Sequence, residues 1–276
     1  MTIKEGLSWA REALKEACER PAFEAELLLA YHLGQDRTYL LIHDRDNFAD
    51  IEGFKQLIQR RAEHEPYEYI VGSASFYDIH LEVEEGVLIP RPETEILIDL
   101  VADIIEKENI TRIAEIGVGS GAISIVLARK FPNLQIIATD IYDTPLKVAG
   151  KNIETFGLGK QIELRKSNLI DEVPETLELV VSNPPYIAED FLLEPNVIDY
   201  EPKEALFGGR IGDELLKQII LDVKNKGVKY LACEMGYDQK KPLQEFVNEI
   251  GVEYIKFYND LAQFDRGFII KFNEGG

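Results

Sequence analysis

Thr111-Arg-Ile-Ala-Glu115-Ile-Gly117-Val-Gly119-Ser-Gly121, followed by Ala122-Ile-Ser-Ile-Val-Leu-Ala-Arg129, reads as strand, glycine loop, helix. Glycines at alternate positions let the backbone turn sharply and let a ligand approach it closely. A second apolar run, Leu134-Gln-Ile-Ile-Ala, ends in Asp140. That acid lies roughly 20 residues past the glycines, where a nucleotide-binding fold places its ribose-binding carboxylate. The G-x-G-x-G spacing differs from the dinucleotide G-x-G-x-x-G, and no Walker lysine follows. A phosphate ligand is therefore not required. A ribose-bearing cofactor without phosphate fits better, S-adenosylmethionine before others.

From about residue 93 onward the pattern is α/β. A helix is expected over 94–107 and another from Asp143-Thr144-Pro145, with proline in its first turn. Further strands are expected at 162–165, 177–181, 228–234, 252–257 and 267–272, with helices at 213–225 and 239–250. Such alternation predicts a mainly parallel sheet covered on both faces, with ligands bound beyond the carboxyl ends of the strands. The glycine loop sits at one such end. Asn183-Pro184-Pro185-Tyr186 sits at another, after the run Leu177 to Val181.

Each proline fixes its own φ, and the residue before it is pushed to an extended conformation. The four residues therefore make a stiff clamp that holds an amide side chain, backbone carbonyls and an aromatic face outward. Asn183 Oδ1 and the Pro184 carbonyl are suited to accept both hydrogens of a planar NH2, with Tyr186 stacked on it. A rigid surface turn is the plainer reading, and it loses weight because the glycine loop lies upstream. Phe207-Gly208-Gly209 reads as a mobile active-site loop rather than a strand, and Glu234 to Gln239 as a structural turn.

Residues 1–70 read as a helical bundle without a chemical motif. Leu7, Ala10, Leu14, Ala17 and Cys18 share one face, Pro21 separates a run Phe23 to Tyr31, and Ile51, Phe54, Leu57 and Ile58 form a further stripe. Arg60-Arg61 reads as a solvated helix face. Residues 71–89 read as a β-hairpin linking the bundle to the 90–276 domain.

The 276 residues are enough for two domains, and the hydrophobic content of 45% is that of a globular protein. A net charge of −20 opposes binding to nucleic acid over most of the surface. Cys18 and Cys233 are far apart, which points to reduced thiols and a cytoplasmic protein. No apolar stretch approaches the length of a membrane span, and none resembles a signal peptide. All four histidines precede the α/β region, and Cys233 is the only cysteine in it, so a histidine triad or a His/Cys metal site is excluded there. Glu115 and Asp140 as paired hydrolytic acids are the weaker reading, because both stand at strand ends where a cofactor is contacted.

Ile89-Pro-Arg-Pro-Glu-Thr-Glu95, the segment Glu115 to Ser124, Asn183 to Tyr186, Tyr200-Glu-Pro-Lys-Glu-Ala-Leu-Phe-Gly-Gly209 and Glu234-Met-Gly-Tyr-Asp-Gln239 together resemble the HemK/PrmC family, the release factor glutamine methyltransferases. The resemblance spans most of the chain and is least specific in the first sixty or so residues. It implies a Rossmann-like class I methyltransferase domain with a mainly parallel seven-stranded sheet behind a helical substrate-recognition domain. It implies methyl transfer from S-adenosylmethionine, leaving S-adenosylhomocysteine, to the amide nitrogen of the glutamine in the G-G-Q motif of bacterial release factors. The enzyme would be a cytoplasmic monomer.

The resemblance also assigns residues. Catalytic roles fall to Asn183, Pro184, Pro185 and Tyr186. Cofactor contacts fall to Glu115, Gly117, Val118, Gly119, Ser120, Gly121, Asp140, Ile141, Asn168, Leu169 and Asn183. Arg91, Pro92, Thr94 and Glu95 would bind substrate together with the catalytic four. Asn168 stands where the family pattern has Asp, Asp78 where it has glycine, and Ala262-Gln-Phe-Asp-Arg266 lacks a glycine before Asp-Arg. A ribosomal-protein glutamine methyltransferase and an adenine-N6 methyltransferase of DNA or RNA share the clamp chemistry. A non-enzymatic nucleotide-binding module lacks a reason for the clamp.

Overall fold

A computed structural model describes residues 1–273. They divide into two compact units, 1–73 with 193–200, and 74–192 with 201–276.

The first unit is helical: α1 Ile3–Ala13, α2 Pro21–Leu33, α3 Arg37–Ile42, α4 Ile51–Ala62, α5 Tyr67–Val71 and the short Pro195–Ile198 (α9 in chain order). Thr2 and Glu5 form a reciprocal capping box at α1, and Gly34 ends α2 in the left-handed conformation. Leu14, Leu28, Leu29, Leu40, Phe54 and Ile58 are its buried core. The α3 helix is not foreseen by the apolar pattern; Asp36 caps it by accepting from the Tyr39 N–H. Arg61 does not lie on a solvated face. It is buried and paired with Glu24. The 193–200 segment, expected with the α/β domain, belongs to this unit.

In the second unit, strands β1 Ser73–Phe76 and β2 Ile79–Glu82 pair around Tyr77, whose φ is +51°. Asp78 at this turn forms a two-pronged ion pair with Arg129 at 2.7 and 2.9 Å. The main body then runs α6 Thr94–Glu108, β3 Arg112–Ile116, α7 Ala122–Lys130, β4 Gln135–Asp140, α8 Asp143–Thr155, β5 Ile162–Lys166, β6 Leu179–Ser182, β7 Ile187–Ala188, β8 Phe207–Gly209, α10 Glu214–Asn225, β9 Tyr230–Glu234, α11 Lys240–Ile250, β10 Tyr254–Asn259 and β11 Asp265–Lys271.

Seven strands form one sheet in the order β10-β11-β9-β6-β3-β4-β5. Strands β9, β6, β3, β4 and β5 are parallel, and β11 and β10 are antiparallel additions. Side chains alternate across the sheet as strand geometry requires. Ile113, Leu179, Val181 and Ala232 face a core shared with α6, α7 and α8, whereas Ala114, Val180, Leu231 and Cys233 face α10 and α11.

Phe207–Gly209 is a strand, paired in parallel with Ile187–Ala188, and not the loop that its glycines lead one to expect. The reason is close approach. A Cβ on Gly208 would stand 2.5 Å from the carbonyl oxygens of Gly212 and Pro185. Within Ala262-Gln-Phe-Asp-Arg266, the segment that lacks a glycine before Asp-Arg, Gln263 holds φ of +67°, a backbone that glycine accepts with less strain.

Candidate active site

The sheet register assembles the site. Thr139 pairs with Ile116, Ile116 with Ser182, and Ser182 with Cys233. One residue further along these four parallel strands come Asp140, Gly117, Asn183 and Glu234. The switch point lies at β3, whose neighbours β4 and β6 carry the chain away in opposite directions, and crevices form at such points. A cavity of about 620 Å³ opens here, within the usual range for a small-molecule site.

Its wall includes Glu115, Gly117, Val118, Gly119, Ser120, Asp140, Ile141, Asn168 and Leu169 on the glycine-loop side, and Arg91, Thr94, Asn183, Pro184 and Pro185 opposite. Gly121, Pro92, Glu95 and Tyr186 are not on the wall. Gly121 serves packing, since an added Cβ would meet Ile125 at 3.1 Å and Ala149 at 3.5 Å. Glu95 accepts the Tyr77 N–H at 2.8 Å. The Tyr186 ring packs against the α10–α11 core, and its hydroxyl is drawn to Arg266.

The expected cofactor can be tested against this wall. Gly117 and Gly119 have φ of +75° and +54°, and a Cβ on either would meet nothing within 4 Å. The loop therefore leaves room for a ligand to lie against its backbone. Asp140 accepts from the Tyr142 N–H at 3.1 Å and the Gly119 N–H at 3.3 Å, so it braces the loop while remaining on the wall. Burial raises its pKa, and the N–H groups of Tyr142, Gly119 and Ile141 oppose that rise. Glu115 accepts from the N–H and hydroxyl of Ser124. Burial pushes its carboxyl up to about 8, against the Ser124 hydrogen bonds and with a smaller push from Asp140. The open glycine backbone beside the buried Asp140 carboxyl fits a ribose-bearing ligand. Among the described residues no cluster suited to a metal ion is present.

The opposite wall is built around Asn183. Its Nδ2 donates to Thr94 Oγ at 3.1 Å. Thr94 is buried and opens α6 without capping it; the preceding Glu93 occupies the cap position and makes no side-chain cap bond. The Asn–Pro–Pro–Tyr loop is held from several directions. Ser182 Oγ donates to the Ile116 carbonyl at 2.8 Å, and Gln239 Nε2 donates to the Tyr186 carbonyl at 2.7 Å. Gln239 was read from sequence as part of a structural turn, and its grip on the loop is invisible there because the two residues are 53 positions apart. Arg91 is tied to buried Glu201, which also accepts the Ile89 N–H at 3.2 Å. Pro202, Glu204, Ala205 and Phe207 also lie on the wall; of these, only Phe207 belongs to a segment that the sequence reading placed at the active site.

Residues 5–72 match the PrmC N-terminal domain, and residues 93–198 match the methyltransferase small domain. The release factor glutamine methyltransferase of Dictyoglomus turgidum is 39% identical over 235 residues, covering 83% of each chain. That of Clostridium botulinum is 37% identical over 254 residues, covering 88% of this chain and 89% of its own. Among solved structures, the catalytic domain of human Mettl16 superposes with a TM-score of 0.59 at 20% identity, covering 70% of this chain and 76% of that one. The N-terminal domain of human METTL16 in complex with SAH gives 0.53 at 22%, with the same coverage. At such identity these two show a shared fold.

Proposed function

The chain belongs to the release factor glutamine methyltransferase family, and we propose that it methylates the side-chain amide nitrogen of a release factor glutamine, that of a G-G-Q motif, using S-adenosylmethionine. The observation that carries this reading is the orientation of Asn183. Its NH2 is engaged by Thr94, which leaves Oδ1 as the acceptor without a partner among the described residues, on a residue of a proline-stiffened loop that lines the cavity.

Bound S-adenosylmethionine supplies an electrophilic methyl on a sulfonium. The glycine backbone at Gly117 and Gly119 would hold it, with Asp140 on its ribose hydroxyls and buried Glu115 bracing the helix after the loop through Ser124. Asn183 Oδ1 and the Pro184 carbonyl accept the two hydrogens of the substrate amide. That aims a weakly nucleophilic nitrogen in line with the methyl and stabilises the positive charge that develops on it. Transfer would form the N–CH3 bond as the S–CH3 bond broke, leaving S-adenosylhomocysteine, and the extra proton would then leave the nitrogen to solvent. No general base is needed, which suits a cavity whose described wall carries no histidine. In this reading Tyr186 anchors the loop through its ring and carbonyl instead of stacking on the amide.

The same clamp would accept an adenine amino group, but a net charge of −20 disfavours a polyanionic substrate. We read the enzyme as a cytoplasmic monomer whose free Cys18 and Cys233 suit a reducing compartment. Among the described residues no helix is long and apolar enough to cross a membrane. The test is a competition for methyl-labelled cofactor among purified release factor, ribosomal proteins and DNA. Label on a release factor glutamine, located by peptide mass spectrometry, is the expected result. Label on DNA or a ribosomal protein in preference would overturn the reading.

A further inference from the structure

Behind Asn183 and Thr94 lies a carboxyl group that the mechanism above does not use. Glu234 ends β9, one strand from Asn183, and is 1% exposed. The Thr94 hydroxyl lies near enough to favour its ionised form, and its Oε1 has no hydrogen-bond partner among the described residues. Gly267, directly opposite on β11, makes room for the Tyr258 ring and the Cys233 carbonyl, with which a Cβ there would collide. A buried acid without a full set of partners is costly, which calls for an explanation beyond packing.

We propose that Glu234 is a positioning residue that sets the orientation of the Asn183 amide through the Thr94 hydroxyl. A carboxylate can only accept. Ionised Glu234 therefore takes the Thr94 proton into a hydrogen bond, and Thr94 offers its lone pairs to Asn183 Nδ2. Asn183 Oδ1 is then turned to the substrate. A protonated Glu234 donates to Thr94 instead. The Thr94 proton is released toward Asn183, whose amide flips to accept it, and the NH2 group then faces the cavity. Two donors would face one another, and the substrate amide is rejected.

The surroundings favour this switch near neutrality. Burial pushes the Glu234 carboxyl up to about 7, and Glu93, just before α6, adds to the push; the Thr94 hydroxyl, Arg266 on β11 and Arg91 ahead of α6 act against it. Tyr258 on β10 and Tyr186 in the clamp loop also face it, Cys233 precedes it on β9, and each of the three has its own pKa raised partly by its charge.

The inference rests on Asn183 as the substrate clamp, so one arm of its test does not need a substrate. In protein labelled with 15N-asparagine, the Asn183 side-chain NH2 signals, assigned by their loss in Asn183→Ala, are followed from acidic to alkaline pH. They should titrate with a midpoint near the value of about 7 expected for Glu234. Glu234→Gln should abolish that titration, as should Thr94→Val, whereas Thr94→Ser should retain it. In the second arm, kcat for glutamine methylation at saturating cofactor should fall about tenfold per pH unit below the same midpoint, and Glu234→Gln should flatten that limb. Cofactor affinity should stay constant. Asn183 signals that do not titrate, or that titrate unchanged in Glu234→Gln or Thr94→Val, overturn the proposal whatever the substrate proves to be. Absence of release factor methylation with the Asn183 titration intact overturns only the assignment of function.

Discussion

Asn183 and Asp140 face each other across the cavity with different tasks, and substitution should separate them. Asn183→Ala removes the acceptor and leaves both prolines, so single-turnover methylation should fall by about two to three powers of ten, by analogy with loss of one preorganised partner in an oxyanion site. Cofactor affinity should change little. Asp140→Ala should show the reverse pattern, weakening cofactor binding by about 1.5–3 kcal/mol, the range for hydrogen bonds to a charged group. Calorimetry and rapid-quench kinetics on both variants test this; equal losses in both quantities would refute the division. Glu115 gives a stability prediction. Its folded pKa, about 8, lies above the usual carboxyl value of 4.5. Between those values the folded state holds a proton that the unfolded chain has lost. This group therefore lowers stability as pH rises through that window. Thermal unfolding of the cofactor-free protein should show that slope, and Glu115→Gln should reduce it. An unchanged slope would mean that Glu115 is already ionised. The types of these residues were legible in the sequence, because glycines after a strand and an acid at the next strand's end have few other uses. Their partners were not. Thr94 and Asn183 are 89 positions apart and meet only through tertiary packing.

At the scale of elements, the parallel strands were legible because each buried strand is a short apolar run ended by turn chemistry. The register between strands was not, and register is what brings Asp140, Gly117, Asn183 and Glu234 to one level. The β7–β8 pair was missed for a physical reason. Glycine is a poor strand former when judged alone, yet here its lack of a side chain is what admits the neighbouring backbone. Gly208→Ala should therefore act at a distance of one strand. Its Cβ would press on the Pro185 and Gly212 carbonyls at 2.5 Å and on Tyr186 Cα at 2.9 Å. Such overpacking costs about 1–3 kcal/mol, and the clamp loop should shift with it. Urea denaturation should register the loss of stability, and kcat should drop further than at an equally destabilised position in the α1–α5 bundle. Wild-type stability together with wild-type turnover would show that β8 yields freely and does not brace the clamp.

At the scale of the whole molecule, the cavity and the helical core belong to different units. Every residue on the wall of the cavity belongs to the 74–192 and 201–276 unit. The helical unit has its own buried core and no chemical motif, so we propose that it selects the protein substrate. Residues 193–200 belong to that helical unit although they lie within the catalytic stretch of sequence. That return of the chain had no sequence signal, since a four-residue helix that opens on a proline looks like any loop. Amide hydrogen exchange on the intact chain distinguishes the two roles. Adding S-adenosylhomocysteine should slow exchange around Gly117 to Gly121, Asp140 to Tyr142 and Asn183 to Tyr186, and leave α1–α5 unchanged. Adding a release factor should slow exchange in parts of 1–73 or 193–200 as well. The cofactor arm also has an expected size, because a ligand at 100 times its Kd stabilises what it binds by about 2.7 kcal/mol, enough to be read as slower global exchange in the α/β unit alone. Cofactor protection spread evenly over both units would mean that they open together. Release factor protection confined to the α/β unit would remove the helical unit from recognition and leave substrate choice to the walls of the cavity itself.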